Sequence, residues 1–295
     1  MKTWPFVTVD VFTEQRFGGN PLAVFPDATG MSDQEMQALA TELNLSETTF
    51  VLPPSDFAHT ARVRIFNRTH EMPFAGHPNV GTGFVLAQLG RGKDGVLLFE
   101  EIAGLVEVKV DYDGAGAVTG ATIAAPQPLS LGVQLAPGDV AACAGLLPDD
   151  IVTAAHPPVQ ASVGNAFVLA EVSPAALARA TPNLGEFRRV LSQVSALDGR
   201  FALYIYTRNG ARIRARMFSP PAGTWEDAAT GSAATPLAAL LLSLTQETSA
   251  KYDIIQGVEM GRPSLLRTTA RRTEDGIRAT VDGSCVPVLR GEAQV

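Results

Sequence analysis

Ala61-Arg62-Val63-Arg64-Ile65-Phe66 returns later in the chain as Ile213-Arg214-Ala215-Arg216-Met217-Phe218. Each copy leads into an acidic residue, four further residues and a glycine: Glu71 to Gly76, and Glu226 to Gly231. An apolar stretch follows each glycine. Upstream, Gly19-Asn20-Pro21-Leu22-Ala23-Val24 is echoed by Gly164-Asn165-Ala166-Phe167-Val168-Leu169. The copies lie 145 residues apart at Gly19 and Gly164, 152 at Ala61 and Ile213, and 155 at Gly76 and Gly231. Their order is kept while the spacing drifts by small insertions, which implies two similar halves. Two such halves facing each other would make a cleft on which the equivalent glycine turns converge.

The composition fits this reading. A chain of 295 residues suffices for two domains, and 46% hydrophobic against 18% charged residues supplies a large core. A net charge of −7 without a Lys/Arg cluster argues against nucleic-acid or anionic-membrane partners. Cys143 and Cys285 are the only cysteines, too few for a disulfide framework and suited to a reducing compartment. The alternation of Val7, Val9 and Val11 near the start predicts a strand rather than a signal peptide. No apolar run is long enough to span a bilayer. The expectation is a soluble, cytoplasmic protein.

Ser32 and Glu35 form a capping-box pattern, and Met36, Leu39, Ala40 and Leu43 follow at helical spacing, so 32–44 is predicted to be an amphipathic helix. Leu184, Phe187, Val190, Leu191 and Val194 repeat the design in the second half. Each helix precedes a predicted strand, Thr48 to Leu52 and Phe201 to Tyr206. The segments Val80 to Leu89 and Ala233 to Leu244 are apolar nearly all round, so each must be buried within its own domain. The fold class is therefore α+β: two pseudo-symmetric halves of mostly antiparallel strands wrapped around a buried central helix. Prolines and glycines crowd 126–138 as a linker. The halves are placed at 1–128, joined by a returning last strand at 284–295, and at 129–283.

The helix starts are where chemistry is expected. Pro78 suits a first helical position and makes His77 the N-cap, while Ser232 is a natural N-cap in the second half. Free N–H groups and the positive dipole end at such termini attract a carboxylate. The same field disfavours imidazolium, so His77 is expected to be neutral. His59, His70 and His156 are read as surface residues, and no histidine or cysteine spacing suggests a metal. Glu47 lies between the first helix and an apolar strand, where partial burial and a helix C-terminus would raise its pKa toward that of an acid/base group. Asp227, beside Glu226 and four residues before Gly231, is a second acidic candidate. No nucleophile elbow, P-loop or dinucleotide fingerprint is present, so no cofactor is expected.

Val9-Asp10-Val11-Phe12-Thr13 with Phe17-Gly18-Gly19-Asn20-Pro21, then Asn44-Leu45-Ser46-Glu47-Thr48, Gly76-His77-Pro78, Glu226-Asp227-Ala228-Ala229-Thr230-Gly231-Ser232 and Gln256-Gly257 with Gly261-Arg262-Pro263 together resemble the PhzF-like isomerases of the phenazine-biosynthesis family. The resemblance runs nearly end to end. It implies the diaminopimelate-epimerase fold, a homodimer and cofactor-free chemistry on a small carboxylate-bearing substrate. It also implies Glu47 as general acid/base, with His77, Asp227 and Ser232 contacting substrate. Asn20, Gly76 and Gly231 join them as substrate-binding candidates. Ala228 departs from the family, which usually has proline there.

The related diaminopimelate epimerases and proline racemases place a thiol before each glycine turn, where this chain has Ala75 and Thr230. Stereo-inversion needs a base on one face of a carbon and an acid on the other. Alanine supplies neither, so two-thiol racemisation is disfavoured, and a single carboxylate that takes a proton from one carbon and returns it to another on the same face is what the PhzF resemblance implies for Glu47. The alternatives are an amino-acid epimerase or hydroxyproline-type dehydratase using other residues, and a non-catalytic small-acid binding protein.

Overall fold

The computed structural model describes residues 2–295, and the chain divides into two compact units: Met1–Ala124 with Asp282–Val295, and Ala125–Val281. Unit 1 contains β1 (Thr3–Val11), β2 (Asn20–Phe25), α1 (Asp33–Leu43), β3 (Glu47–Leu52), β4 (Ala61–Phe66), β5 (Glu71–Met72), α2 (Gly76–Gln88), β6 (Val96–Glu101), β7 (Gly104–Tyr112) and β8 (Val118–Ala124). The capping box at Ser32 and Glu35 starts α1, and Asn44 in the left-handed conformation ends it. Strand β1 pairs antiparallel with β2, β2 parallel with β3, β3 antiparallel with β4, and β4 parallel with β6. Strands β6, β7 and β8 follow as an antiparallel meander. The last strand of the chain pairs with β1, Val11 facing Cys285 and Thr3 facing Gln294, and also with β8. These pairings close a ring of eight strands.

Inside unit 1, α2 is buried at every residue from Gly76 to Leu86 and packs on β1, β2, β3, β7 and β8. A helix apolar on all sides requires enclosure of this kind. Gly81 and Gly83 let the walls approach it: a Cβ at either would sit 2.6 Å from Leu22 Cδ2 or Val108 Cγ1 respectively. The ring closes over another pair of glycines, since a Cβ on Gly120 would lie 2.1 Å from the Gly283 carbonyl oxygen.

Unit 2 contains β9 (Ser130–Gln134), α3 (Pro137–Cys143), β10 (Ile151–Val152), β11 (Val159–Ser162), β12 (Ala166–Val172), α4 (Pro174–Arg179), α5 (Leu184–Gln193), β13 (Leu203–Asn209), β14 (Arg212–Ser219), β15 (Thr224–Asp227), α6 (Gly231–Ser243), β16 (Ser249–Gln256) and β17 (Ser264–Thr273), and it shares β18 (Gly276–Gln294) with unit 1. The pairings run β11–β12 antiparallel, β12–β13 parallel, β13–β14 antiparallel, β14–β16 parallel and β16–β17 antiparallel. That is the order found from β1 to β7. The stretch 126–138, read as a linker, is built into this unit. It contains β9, and Ala125, Gln127 and Leu129 donate backbone hydrogen bonds to Ala279, Val163 and Ile277.

The repeated Arg-x-Arg strands end in one interaction made twice. Arg64 in β4 forks onto Glu71 of β5, Nε to Oε1 at 2.7 Å and Nη2 to Oε2 at 2.6 Å. Arg216 in β14 forks onto Glu226 of β15, both bonds at 2.8 Å. Each guanidinium also lies 5.0 Å from the phenylalanine ring two residues on, Phe66 or Phe218. The third nitrogen reaches Asp33 of α1 in unit 1, and the Leu177 and Ala180 carbonyls at the end of α4 in unit 2.

The seam between β8 and β18 yields a test. Gly120→Ala forces a methyl group into backbone and should cost about 1–3 kcal/mol, the range for overpacking. Gly114→Ala, whose Cβ meets nothing within 4 Å, should stay within roughly 0.5 kcal/mol of the parent. Equilibrium urea denaturation of the two variants measures the difference.

Candidate active site

Unit 1 gathers Asn20, Glu47, Gly76 and His77. Asn20 opens β2, Glu47 opens β3, and the parallel pairing of these strands sets Leu22 opposite Glu47. Helix α2 begins at Gly76 with Ala75 as N-cap, so His77 is the second helical residue and not the cap predicted from Pro78. Ala75 makes no side-chain cap, and Pro78 has no N–H to offer. Gly76 and His77 therefore carry N–H groups of the uncapped first turn. His77 is fully enclosed, and burial pushes its pKa down to about 3, so the ring is neutral. The Asn20 amide nitrogen, 3.4 Å from Nδ1, can only donate. This leaves the imidazole proton on Nε2, 3.3 Å from Glu47 Oε2 but out of line for a hydrogen bond with it. The Glu47 side chain keeps 16% of its surface exposed, against 6% for His77.

Unit 2 gathers Asp227, Thr230, Gly231 and Ser232. Asp227 is the buried last residue of β15. Helix α6 begins at Gly231 with Thr230 as N-cap, which makes Ser232 the second helical residue rather than the cap. Thr230 cannot cap with its side chain because Oγ1 is bonded to Asp227 Oδ2 at 2.6 Å. The Gly231 and Ser232 N–H groups stand at that terminus as those of Gly76 and His77 do in unit 1.

Three participants escaped the sequence reading. Gln256, at the end of β16 and fully buried, reaches Thr230 and the Asp227 backbone, and Tyr204 of β13 reaches Gln256. Glu101, at the end of β6, is pushed up to about 8 by burial, with the Asn79 amide pulling the other way. Asn79 in turn holds the Ala75 carbonyl at 3.1 Å across the first turn of α2. Gln256 stood within a motif, but nothing local in sequence marks what it touches. Tyr204 and Glu101 lie in strands whose partners come from distant segments.

The remaining histidines divide. His70 is exposed and His59 half-buried against Glu100. His156 is buried, contrary to expectation, because both ring nitrogens find partners in the Pro157 carbonyl and the Tyr206 hydroxyl. Among the described residues no three His, Cys, Asp or Glu side chains converge on a metal-binding geometry. No helix among them is long and apolar enough to cross a membrane.

The family described as phenazine biosynthesis-like protein matches residues 9–291. The chain belongs to this family. The trans-2,3-dihydro-3-hydroxyanthranilate isomerase of Pseudomonas chlororaphis is 37% identical over 97% of this chain and 98% of its own. The crystal structure of a PhzF-family protein from Bacillus anthracis superposes with a TM-score of 0.88, at 24% identity and full coverage of both chains. A hydroxyproline epimerase from Agrobacterium vitis shares the fold at a TM-score of 0.62 and 13% identity, over 98% of this chain and 92% of that one. Like its curated PhzF-family relatives, the protein is an isomerase, and its fold is the mixed α/β fold of PhzF proteins and proline racemases.

The buried histidine predicts a pH dependence of stability. His77 holds a pKa of about 3 when folded, against 6.5 for an ordinary histidine. Between those values the unfolded chain takes up a proton that the folded one refuses. The stability tied to neutral His77 is complete above pH 6.5 and is lost as pH falls, by about 2 kcal/mol at pH 5. Glu101, raised to about 8, contributes with the opposite sign over the same window, so the His77 part is read as a difference: from pH 7.5 to pH 5 the parent should fall by about 2 kcal/mol relative to His77→Gln in urea denaturation.

Proposed function

We propose that the protein is a cofactor-independent isomerase that moves one proton on a small carboxylate-bearing ring, with Glu47 as the general acid/base. The observation that carries this reading is the Asn20–His77–Glu47 arrangement at an uncapped helix start. A carboxylate with partial solvent access sits against a neutral imidazole whose tautomer is set by an amide. Glu47 takes the proton from one carbon and returns it to another on the same face, so no second acid is required. His77 stays neutral and supplies an Nε2–H to the substrate or to Glu47. The N–H groups at Gly76 and His77, and at Gly231 and Ser232, offer sites for the substrate's carboxylate and for charge developing on it. Asp227 accepts a hydroxyl or amino hydrogen and so fixes orientation.

The substrate class follows the relative from Pseudomonas chlororaphis, whose name specifies a dihydro-hydroxyanthranilate. Ala75, standing before the Gly76 turn, has no proton to exchange, which favours same-face transfer over two-base epimerisation. The reading includes two pseudo-symmetric halves of the diaminopimelate-epimerase type, divided near 128 with the last strand returning to the first half. It also includes a cytoplasmic homodimer.

Incubation of trans-2,3-dihydro-3-hydroxyanthranilate with the protein in deuterated water, followed by NMR, tests the mechanism. Isomerisation should proceed with the migrating hydrogen partly replaced by deuterium. Glu47→Gln should lower turnover by roughly two to four orders of magnitude, the usual worth of general acid–base catalysis, while substrate still binds. Parent-like turnover in that variant removes Glu47 from the chemistry.

A further inference from the structure

The hydrogen bonds around Thr230 fix every donor and acceptor of one buried amide. Gln256 Oε1 accepts from the Thr230 N–H at 3.1 Å and from the Tyr204 hydroxyl at 3.1 Å. Gln256 Nε2 donates to the Asp227 carbonyl at 2.8 Å and to Thr230 Oγ1 at 3.0 Å. A backbone N–H cannot accept and a backbone carbonyl cannot donate, so the amide has one orientation. Burial pushes the Tyr204 pKa up, aided by the charge of Asp227, so its hydroxyl keeps the proton it donates. Thr230 Oγ1, already accepting from Gln256, is left to donate. Its proton goes to Asp227 Oδ2 at 2.6 Å, a short bond of the charge-assisted kind.

We propose that Gln256 is a positioning residue which, acting through the Thr230 hydroxyl, fixes the direction of the Asp227 carboxylate. The proposal rests on the reading of Asp227 as the group that orients substrate. It gives Thr230 a role distinct from acid/base chemistry: its one hydroxyl proton and an oxygen lone pair are both committed within the protein. Tyr204 completes the set by holding the amide that holds the threonine. Two side chains from strands distant in sequence, Tyr204 and Gln256, thus act through Thr230 on where one carboxylate oxygen points.

The experiment compares Thr230→Val, Thr230→Ser, Gln256→Leu and the double variant Thr230→Val/Gln256→Leu. Two readouts are used: kcat/KM on trans-2,3-dihydro-3-hydroxyanthranilate, and the carboxyl carbon-13 NMR signal of Asp227, assigned by its loss in Asp227→Asn. Thr230→Val keeps volume and removes the hydroxyl, and should lower kcat/KM roughly ten- to a hundred-fold, the worth of a hydrogen bond to a charged group. Thr230→Ser should restore it to within about three-fold. The double variant should be little worse than either single one, because both cut the same chain of bonds. The Asp227 signal should move in Thr230→Val and return in Thr230→Ser. Parent-like kcat/KM in Thr230→Val, multiplicative losses in the double variant, or an unmoved Asp227 signal overturns the proposal. If Gln256→Leu does not fold, Gln256→Met takes its place in the same comparison, and an unmoved Asp227 signal in that variant overturns the proposal. A parent inactive on this substrate counts against the proposed function alone, and the carbon-13 comparison then decides the positioning role.

Discussion

A bidentate arginine–glutamate pair ahead of each buried helix is the interaction on which the rest of the structure depends. In both units the arginine comes from the strand that pairs antiparallel with β3 or β13, and the glutamate from the short strand after it, five residues before the helix glycine. The fork is planar and fixes the carboxylate in two directions at once, which a lysine could not do. The guanidinium's free corner ties down the helix on the outer side of the sheet, through Asp33 in unit 1 and two carbonyls in unit 2. One side chain thereby joins strand, approach turn and outer helix. Removing either partner would leave a charge stranded where solvent reaches poorly, a loss of about 3–5 kcal/mol for a buried pair.

What the fork positions is a helix that cannot tolerate water along its length. Enclosure of α2 by a ring of strands leaves its first turn as the place where backbone donors are uncapped. A histidine set there is desolvated, and desolvation is what makes it neutral. The same burial that stabilises the helix body therefore determines the protonation state of the group at its start. A surface histidine at the same sequence spacing would titrate near neutrality, gaining a charge and losing the lone pair that accepts from Asn20 as pH falls from 8 to 5.

The repeated strand order, the two buried helices and which residues stand near their starts were legible because they rest on local patterns: repeated hexapeptides, apolar runs, and glycines at a fixed distance from an acid. The exact helix starts were not. Proline at 78 and serine at 232 favour particular capping positions, yet both helices begin earlier, one capped by alanine and the other by a threonine whose oxygen is held elsewhere. Tertiary hydrogen bonds overrode the local preference. The same reason hid Gln256 and Tyr204, whose partners are 26 and 52 residues away along the chain. His156 was misplaced because its polar, proline-rich neighbours in sequence say nothing of the tyrosine that buries it.

The two units repeat a scaffold and differ in what they put on it. Strand registers align Thr48, opposite Phe66, with Leu203, opposite Phe218, so the place of Glu47 is taken in unit 2 by Ala202. The parallel pairs Ala61–Phe99 and Ile213–Ile254 likewise bring Glu101 into the same position as Gln256. Gln256 is fully buried with its amide saturated by hydrogen bonds, whereas the Glu101 carboxyl, its oxygens shielded from solvent, is raised to about 8 by desolvation. On the roles proposed for them, the proton-carrying and the orienting carboxylate occupy different environments. Glu47 sits where solvent still reaches it, whereas Asp227 is buried and tied by a threonine to a saturated amide. A proton carrier has to change its charge during a reaction, and an orienting group must keep its own. The two environments differ in the way those two duties require.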